Sequence, residues 1–596
     1  MDRNVVIGFI LIGLVLMIWL WMNAPPPPQS TSKLDSLAVN QQVNRIDTSG
    51  SIIGERKTTL PTHDTLGRYF LHLKEGKKKT LIIETDRYRA KVSTMGGAIH
   101  SWELTQYKTW DNHPVNLINK SDGGEFNLLF CSSDGKLIST KDLFFESNYT
   151  DGQIIKLSES DSFATDFYLN IDKHSRIVKT LIFRGDLYSY DVSLKFEGMA
   201  NIISNFAYQV TWETGLRYME HNSVDESNYA KAFALVGGEL PEIDATSFNE
   251  VVKDSNISGR VMWVATRNKY FALAIIPKGK DSQRAYLEGI RTHLPDEGVK
   301  ENYSIAIEMP FTGRSLESDR FTVFMGPLDF DIVKRYNVGL EKIMSLGAAW
   351  IIRPISEYVI IPLFKFLRLF IPNYGVVLII FSFIVKIVLH PLSKTSMKSM
   401  QKMQALQPMI NEIKEKYKED PQKMNKQVMR LYKEYGVNPA GGCLPLLLQL
   451  PILYALWAVF SSAIQLRQAS FIWWIHDLSI PDAVARLPFK IPIFNINEIS
   501  GLALLMGITM LIQQKMSVKD PRQKMMVWLM PILMTLMFTG FPSGLNLYYF
   551  VFNLLSIGQQ AWINKQHKNE PLRKVEQKKS GSGFISRIAK DLPLKK

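Results

Sequence analysis

The sequence predicts a large antiparallel β-sandwich joined to a membrane-embedded α-helical core, with six membrane spans in all. The last third of the chain contains several long apolar runs separated by basic segments. From about residue 80 to residue 328, apolar and polar residues alternate in short runs. A further apolar run stands near the N-terminus. At 596 residues, 46% of them hydrophobic, the chain is too long for one compact core.

The N-terminal apolar run extends from Val5 to Met22 and is followed by four prolines. Its 18 residues reach the lower limit for a bilayer span and exceed the usual apolar region of a cleaved signal peptide. No small-residue cleavage pattern follows it. We therefore expect residues 1–23 to form an uncleaved anchor with its N-terminus inside the cell, a processed signal peptide being the alternative. Residues 24–60, rich in Ser, Thr, Gln and Asn, are expected to form a flexible linker.

Residues 61–345 are predicted to form the β-sandwich, on the outside of the membrane. Short alternating runs separated by Gly, Asp and Asn turns are typical of antiparallel sandwiches. The histidines of the region show no metal-ligand spacing, and no catalytic serine or zinc motif is present. We expect a packed accessory domain, with a cleft for a sugar or a peptide as the alternative. The predicted strands lie in TLIIETD, YRAKVSTMGG, SRIVKTLIFRG, LYSYDVSLKF, FAYQVTWETG, RVMWVATRNKYFALAIIP, ENYSIAIEM and FTVFMGP.

Residues 346–372 are apolar but carry a charged stripe. Arg353, Glu357, Lys365 and Arg368 recur at helical spacing, which favours an amphipathic helix lying in the membrane interface. If this helix crossed the membrane, the basic segment after the next span would lie outside, against the positive-inside rule.

Residues 373–563 are predicted to form the five-span core. Several of these spans are short, so we expect the bilayer to thin locally or protein to shield them. The predicted spans are Tyr374–Pro391, Cys443–Ile464, Gly501–Met516, Met525–Phe541 and Gly544–Ile563.

Three basic segments determine the predicted orientation. Residues 393–440, 517–524 and 564–596 carry net charges of +5, +2 and +7, which together equal the +14 of the whole chain. Basic loops beside spans are retained in the cytoplasm. Both termini are therefore placed inside, and residues 564–596 form a basic cytosolic tail. A nucleic-acid patch is the weaker interpretation because no nucleic-acid motif accompanies the charge.

Residues 393–440 are predicted to form a cytosolic helical hairpin with a methionine stripe. Met397, Met400 and Met403 share one face of the first stretch, and Met424 lies on the matching face of the second. Flexible methionines can contact varied apolar partners. The alternative is that the stripe lies where the two helices pack on each other.

A single ammonium, Lys386, lies inside the first core span. A charge near mid-helix in lipid costs roughly 2.5–3.5 kcal/mol on insertion scales, so it usually occupies a wet, protein-lined place. Because Lys386 lies only five residues before Pro391, its side chain could instead extend to the membrane surface. Polar residues in other spans are further groove candidates, although each alone is more often an interhelical hydrogen-bond partner. They are Gln449, Thr535, Thr539, Asn546 and Asn553.

Four runs of the core resemble the YidC membrane protein insertase family, in its form with a large periplasmic domain. They are FIVKIVLHPL, NPAGGCLPLLLQLPILYALW, LRQASFIWWIHDLS and FPSGLNLYYFVFNLLSIGQQ. The resemblance covers roughly residues 374–563, and the β-rich region adds the weaker signals KYFALAIIP and MGPLD. It implies a five-helix core enclosing a groove that is open to the cytoplasm and to lipid and closed toward the periplasm.

The same resemblance implies a non-enzymatic insertase and chaperone of the bacterial inner membrane that needs no cofactor or metal. Its implied partners are nascent membrane proteins, the ribosome, the Sec translocon and membrane lipids, with no specific nucleic-acid sequence, and we favour a monomer. Where the family has an arginine in the first core span, this chain has Lys386. We expect a hydrated groove to keep that lysine charged, so that it attracts acidic residues of a substrate.

Two other functions remain open from the residues alone. A secondary transporter would also use intramembrane charge, but transporters usually show paired repeats, and the sequence shows no internal repeat. A membrane-anchored carbohydrate-binding or carbohydrate-active protein would work through the β domain. If it were an enzyme, it would need two carboxylates at catalytic distance.

Overall fold

The β domain and the helical region form separate compact units, with the division between Ile343 and Met344. The predicted anchor, the linker and all but the first three residues of the basic tail lie outside the described residues. The computed structural model describes residues 66–119, 124–295, 297–348, 350–437, 444–491, 496–517 and 524–566.

The β domain is built from strands that alternate buried and exposed positions, as the period-two pattern predicts. Three short helices accompany them: α1 (Gly67–Phe70), α2 (Ser223–Ser227) and α3 (Phe330–Lys334). The strands are β1 (Thr80–Glu84), β2 (Tyr88–Ser93), β3 (Ala98–Lys108), β4 (Pro114–Asn116), β5 (Asn127–Cys131), β6 (Leu137–Ser139), β7 (Gln153–Lys156), β8 (Ser162–Asn170), β9 (Arg176–Arg184), β10 (Ser189–Glu197), β11 (Ala207–Trp212), β12 (Lys231–Val236), β13 (Glu242–Ile243), β14 (Val251–Ser258), β15 (Val261–Arg267), β16 (Phe271–Lys278), β17 (Arg284–His293), β18 (Val299–Pro310) and β19 (Leu316–Pro327).

These strands form three sheets, and the predicted antiparallel sandwich is confirmed. The sheet orders are β4-β3-β2-β1-β7, β13-β12-β15-β16-β19-β10-β9-β8 and β14-β17-β18-β11-β5-β6. The eight-stranded and six-stranded sheets contact each other through β15 and β18 and through β12 and β17. Every predicted run contains at least one strand. The sequence analysis missed ten strands, β3 to β8, β12 to β14 and β17, and it missed that β7 pairs with β1 in parallel.

A buried lysine connects the three sheets. Lys179, on β9 of the eight-stranded sheet, is 0% exposed. Its Nζ donates to the carbonyl oxygen of Gly96, beside β2, at 2.9 Å and to that of Phe126, beside β5, at 3.0 Å. The ring of Phe145 lies 5.2 Å from the same nitrogen. Because burial penalises the ammonium, the pKa of Lys179 is lowered to about 7.

We expect this lysine to make the β domain more stable as the pH rises above 7. Between pH 7 and the ordinary lysine value of 10.5, the unfolded chain binds the proton and the folded domain does not, so the free energy of unfolding increases with pH. The free energy of unfolding should increase by at most about 1.4 kcal/mol for each pH unit. Lys179→Met should remove this rise. The measurement is amide hydrogen exchange of β9 in the intact protein at pH 7.5 to 9.5, with the variant compared at each pH.

The helical region begins with α4 (Ile352–Ile355), a π-helical turn (Ser356–Ile360) and α5 (Ile361–Arg368). A two-stranded pair, β20 (Ala483–Ile491) and β21 (Ile496–Ser500), stands between two of the long helices. The other helices are α6 (Tyr374–Val388), α7 (His390–Ala405), α8 (Gln407–Lys416), α9 (Pro421–Glu434), α10 (Leu444–Ser462), α11 (Gly501–Ser517), α12 (Lys524–Thr539) and α13 (Ser543–Gln566).

Each of the five predicted core spans coincides with one long helix, although several of these helices are short for a bilayer. Within the described ranges, no single helix is both long and apolar enough to cross a membrane unaided. The pair α6 and α7, bent by 65°, satisfies both criteria together. Gln449–Ser462 and Val527–Thr539 are shorter apolar helices.

The striped segment packs on the helical core through its buried face. Phe364 of α5 makes an edge contact with Phe381 of α6. Its charged stripe is partly enclosed, because Arg353 and Glu357 form an ion pair at 2.5 Å with about a fifth or less of each side chain exposed. The opposite face is apolar and exposed, and Leu369 is 79% exposed. This face is suited to lipid contact.

The hairpin helices α8 and α9 pack on each other through a small apolar cluster. Its buried members are Leu406, Ile410, Tyr435 and Val437. Met403 packs against this cluster, and Met424 is only 8% exposed. For these two methionines the structure therefore favours the alternative of helix packing.

The other two methionines of the predicted stripe lie elsewhere. Met397 and Met400 are half-buried on α7, the helix that also carries Met403 and is bent by 65° from α6. The methionines most exposed on α8 and α9 are Met409 and Met429, which are 37% and 47% exposed.

Candidate functional site

The ammonium of Lys386 lies between α6 and α13. Its side chain is in the last turn of α6, and the residue is 8% exposed. Nζ donates to Oγ of Ser556 at 2.6 Å and lies 4.6 Å from the ring centroid of Phe552. Of the two positions expected for this lysine, the structure shows the enclosed one rather than extension to the surface.

The local sequence explains why the two helices can enclose a lysine. Ser556 and Phe552 are four residues apart on α13, so both face the same side. Ser382, one turn before Lys386, is 0% exposed, and its hydroxyl donates to the carbonyl oxygen of Leu378 at 2.8 Å. Small serines allow close approach of membrane helices.

The ammonium retains unused hydrogen-bonding capacity. It has three donors, and Ser556 accepts one of them. Among the described residues, no carboxylate lies within 4.0 Å of Nζ. The site can therefore accept water or an anionic group from another molecule.

A line of polar side chains leads away from Lys386 along α13. Ser556, Gln560 and Asn564 recur every four residues, and we call these three the polar ladder. Gln560 is 2% exposed and donates from Nε2 to Oδ1 of Asn564 at 2.8 Å. Gln401 of α7 donates to the same oxygen at 2.8 Å. The ladder supplies donors and acceptors from the lysine to the end of the helix.

Helix α7 lies across the ends of α11 and α13 through further polar contacts. Nε2 of Gln404 donates to the backbone oxygens of Ser517 and, at 3.4 Å, of Met516. The side chains of His390 and Gln559 are hydrogen-bonded at 3.1 Å. Helix α7, which carries the beginning of the basic segment 393–440, therefore contacts the end of the ladder at Asn564.

Two predicted groove residues lie near the interior of the core but do not touch Lys386. Gln449 lies beside the hydroxyls of Tyr548 and Tyr549. Asn553, one turn before Ser556, donates to Oγ1 of Thr509 on α11 at 3.5 Å.

The other three predicted residues are not brought to the lysine. Thr535 donates to the carbonyl oxygen of Pro531 at 2.8 Å, and Thr539 donates to that of Thr535 at 2.9 Å. Asn546 is 0% exposed and donates to the carbonyl oxygen of Phe538 at 3.1 Å. It precedes Ser556 by ten residues, about 15 Å along a helix. The two threonines therefore bond within their own helix, whereas Asn546 bonds to α12 and to Ser500.

The opposite end of the core is covered by residues 464–482. Gly375 of α6 lies so close to Phe471 that a Cβ added there would be 2.0 Å from the ring. Oγ of Ser543 donates to the carbonyl oxygen of Asp477 at 2.7 Å, and the amide of Gly544 donates to that of Leu478 at 2.9 Å. The ladder therefore ends on the side of the core opposite residues 464–482.

The sequence analysis missed the ladder, although a signal for it was present. Polar residues at a spacing of four in an otherwise apolar run mark one helix face. No group of three or more potential metal ligands is found in the part of the chain that the structure describes. The arrangement offers a positive charge and hydrogen bonds but no reactive group.

Two family models match the chain. The model described as "60Kd inner membrane protein" matches residues 366–570, and the model described as "YidC periplasmic domain" matches residues 80–357. The chain is 38% identical to the membrane protein insertase YidC of Chlorobium phaeovibrioides, over 98% of this chain and 100% of that protein. It is also 38% identical to the YidC of Chlorobaculum tepidum, over 95% of each.

The chain also resembles a solved structure titled "Active YidC insertase crystal structure with the first transmembrane domain resolved". The identity is 19% and the TM-score is 0.35, over 82% of this chain and 93% of that one. The family assignment depends on the sequence matches.

Proposed function

This chain belongs to the YidC family of membrane protein insertases, and from that premise we propose how its residues carry out insertion. It is an inner-membrane protein with a periplasmic domain, and its substrates are nascent membrane proteins. We propose that Lys386 and the polar ladder form the cytoplasm-facing groove that receives the polar segment of a substrate. The enclosed ammonium with unused donors is the observation that carries this proposal.

The physical role of the groove is to shorten the dry path. Moving a hydrophilic segment across about 30 Å of hydrocarbon is costly. In this proposal water follows the ladder from the end of α13 to Lys386, and this removes part of that distance. The charge then attracts an acidic side chain of the substrate. Once the apolar helix of the substrate slides past α6 and α12 into lipid, hydrophobic burial makes the step effectively irreversible.

The remaining parts of the chain have supporting roles in this proposal. The cytosolic hairpin and the basic tail receive the nascent chain at the ribosome, and the protein acts alone or beside the Sec translocon. The helices α4 and α5 lie in the membrane interface, as their exposed apolar face suggests. Both termini lie in the cytoplasm, the protein is a monomer, and insertion needs no cofactor and no chemical catalysis.

The predicted groove residues have unequal support within this proposal. Gln449 and Asn553 line the interior beside the lysine site. Asn546 retains a role in holding α13 to α12, and the two threonines bond only within α12. Met397 and Met400 are better placed than Met403 and Met424 to contact a substrate, because the latter two are occupied by hairpin packing.

We expect a photo-crosslinking amino acid at Gln560 to capture a ribosome-stalled membrane protein in inner-membrane vesicles. The reason is that Gln560 lies on the ladder between Asn564, at its end, and Lys386. The same amino acid at Leu554 is the matched control, because Leu554 is on α13 but faces away and is 46% exposed. Crosslinks to the nascent chain should be at least fivefold stronger from position 560. Equal yields from both positions would show that the substrate does not enter along the ladder.

A further inference from the structure

The strand pair β20 and β21 is largely exposed, because seven of the nine residues of β20 are exposed. We call residues 483–491 and 496–500 the ribbon. Its strands pair antiparallel, with Arg486 opposite Glu498, and β21 leads directly into α11 at Gly501. The sequence analysis did not predict the ribbon.

The ribbon has an apolar side exposed to its surroundings. β20 carries the apolar residues Leu487, Phe489 and Ile491, and its pairing with β21 is irregular between Arg486 and Ile491. Phe489 is 61% exposed. An isolated two-stranded hairpin is marginally stable in water at best, and this one contacts α11 and α12 through β21 and lies beside Gly501 through Val484 of β20. The apolar side therefore needs a surface to cover it.

The root of the ribbon is fixed to the end of a core helix. The carboxylate of Asp482 accepts hydrogen bonds from the amide of Leu502 at 2.7 Å and from the hydroxyl of Ser500. It also accepts one from Nε1 of Trp474 at 3.0 Å. The ribbon thus begins where α11 begins, at the covered end of the core.

Two tryptophans mark the same end. Trp473 is 78% exposed and stacks on Trp474 at 5.8 Å. Tryptophan is enriched at membrane–water interfaces, where its ring sits at the level of the headgroups. On the polar side of the ribbon, Arg486 is paired with Glu498 at 3.1 Å. This pairing leaves little net charge to recruit a charged protein partner, whereas the apolar side matches the headgroup–acyl boundary of a bilayer.

We propose that the ribbon lies in the headgroup region of the outer leaflet, with the Phe489 side against lipid. The inference rests on the proposed placement of the core helices in the membrane. In that position the ribbon holds the outer end of α11 at the membrane surface. It thereby sets how deeply the short core helices lie in the bilayer. An interfacial position also satisfies the exposed backbone at the ribbon edges with water and headgroups.

The test uses the full chain in nanodiscs of phosphatidylethanolamine and phosphatidylglycerol. Cys131 and Cys443 are replaced by serine, and Phe489→Cys carries a bimane label. Lipids brominated near the headgroup should quench this label at least twofold, and aqueous iodide should quench it weakly. Val251→Cys, on β14 and 54% exposed, is the aqueous control and should show the reverse.

A label on α12 separates this proposal from the proposed function. Ile532→Cys, at a position that is 54% exposed, should be quenched by lipids brominated along their acyl chains. Quenching at position 532 without quenching at 489 would overturn the ribbon proposal and leave the core placement intact. Loss of quenching at both positions would overturn both. A label at 489 shielded from lipid and iodide alike would place protein over the ribbon and overturn the proposal as well.

Discussion

Replacing Lys386 by glutamate should reduce insertion of a groove-dependent substrate at least tenfold. The substitution removes the donor to Ser556 and places a negative charge where an acidic substrate residue is expected. A charge-assisted hydrogen bond is worth about 1.5–3 kcal/mol, and each 1.4 kcal/mol corresponds to roughly a tenfold change in rate. The measurement is the protease-protected fraction of a single-span substrate with an acidic translocated tail, in reconstituted vesicles.

Two further variants make this result specific. Lys386→Arg should retain insertion, because its guanidinium can donate to Ser556 and stack on the Phe552 ring. Lys195→Glu makes the same charge reversal at an exposed position of β10 and should have no effect. Full insertion by the Lys386→Glu protein would rule out an electrostatic role for this lysine. A substrate whose tail lacks acidic residues should be less sensitive to the reversal.

Replacing Gly507 by leucine should lower the stability of the helical core by about 1–3 kcal/mol. Helices α11 and α12 approach closely here, because a Cβ added at Gly507 would lie 1.9 Å from Oγ1 of Thr535. That oxygen is held by its hydrogen bond to the carbonyl oxygen of Pro531. A leucine would therefore force the helices apart. The measurement is the midpoint of thermal unfolding of the protein in detergent, followed by size-exclusion chromatography.

The control for Gly507 lies on another helix. Gly558 of α13 has nothing within 4 Å of an added Cβ, so Gly558→Leu should leave the midpoint nearly unchanged. The double variant Gly507→Ala/Thr535→Ala should be more stable than the single variant Gly507→Ala. Thr535→Ala removes the hydroxyl oxygen that the new Cβ at position 507 would contact. If the two leucine variants lose stability equally, the close approach of α11 and α12 is not what limits the core.

The fold followed from local patterns that the sequence displays directly. Alternation of apolar and polar residues in LYSYDVSLKF gives a strand because successive side chains of a strand point to opposite faces. The apolar runs of the core coincide with helices for a similarly local reason. Their apolar side chains need burial or lipid, and a helix satisfies the backbone within the run. The unusual position of Lys386 was also visible in the sequence, since a single charge interrupts an apolar run.

Which residues accompany that lysine was decided by packing. Lys386 and Ser556 are 170 residues apart, and no local pattern relates them. Asn546 and Ser556 were comparable from the sequence, but the position of α13 against α6 brings only the serine to the ammonium. The parallel pairing of β1 with β7 and the three-sheet position of Lys179 depend in the same way on distant segments.

The sequence by itself determined the family, the two-part architecture and the location of a single charge within an apolar run, because each depends on residue types and their spacing along the chain. The tertiary structure alone decided that the charge is enclosed, that a polar ladder leads to it and that the ribbon is left uncovered. These features depend on which helix faces pack against each other. That packing is determined by the fit of side chains from distant parts of the chain.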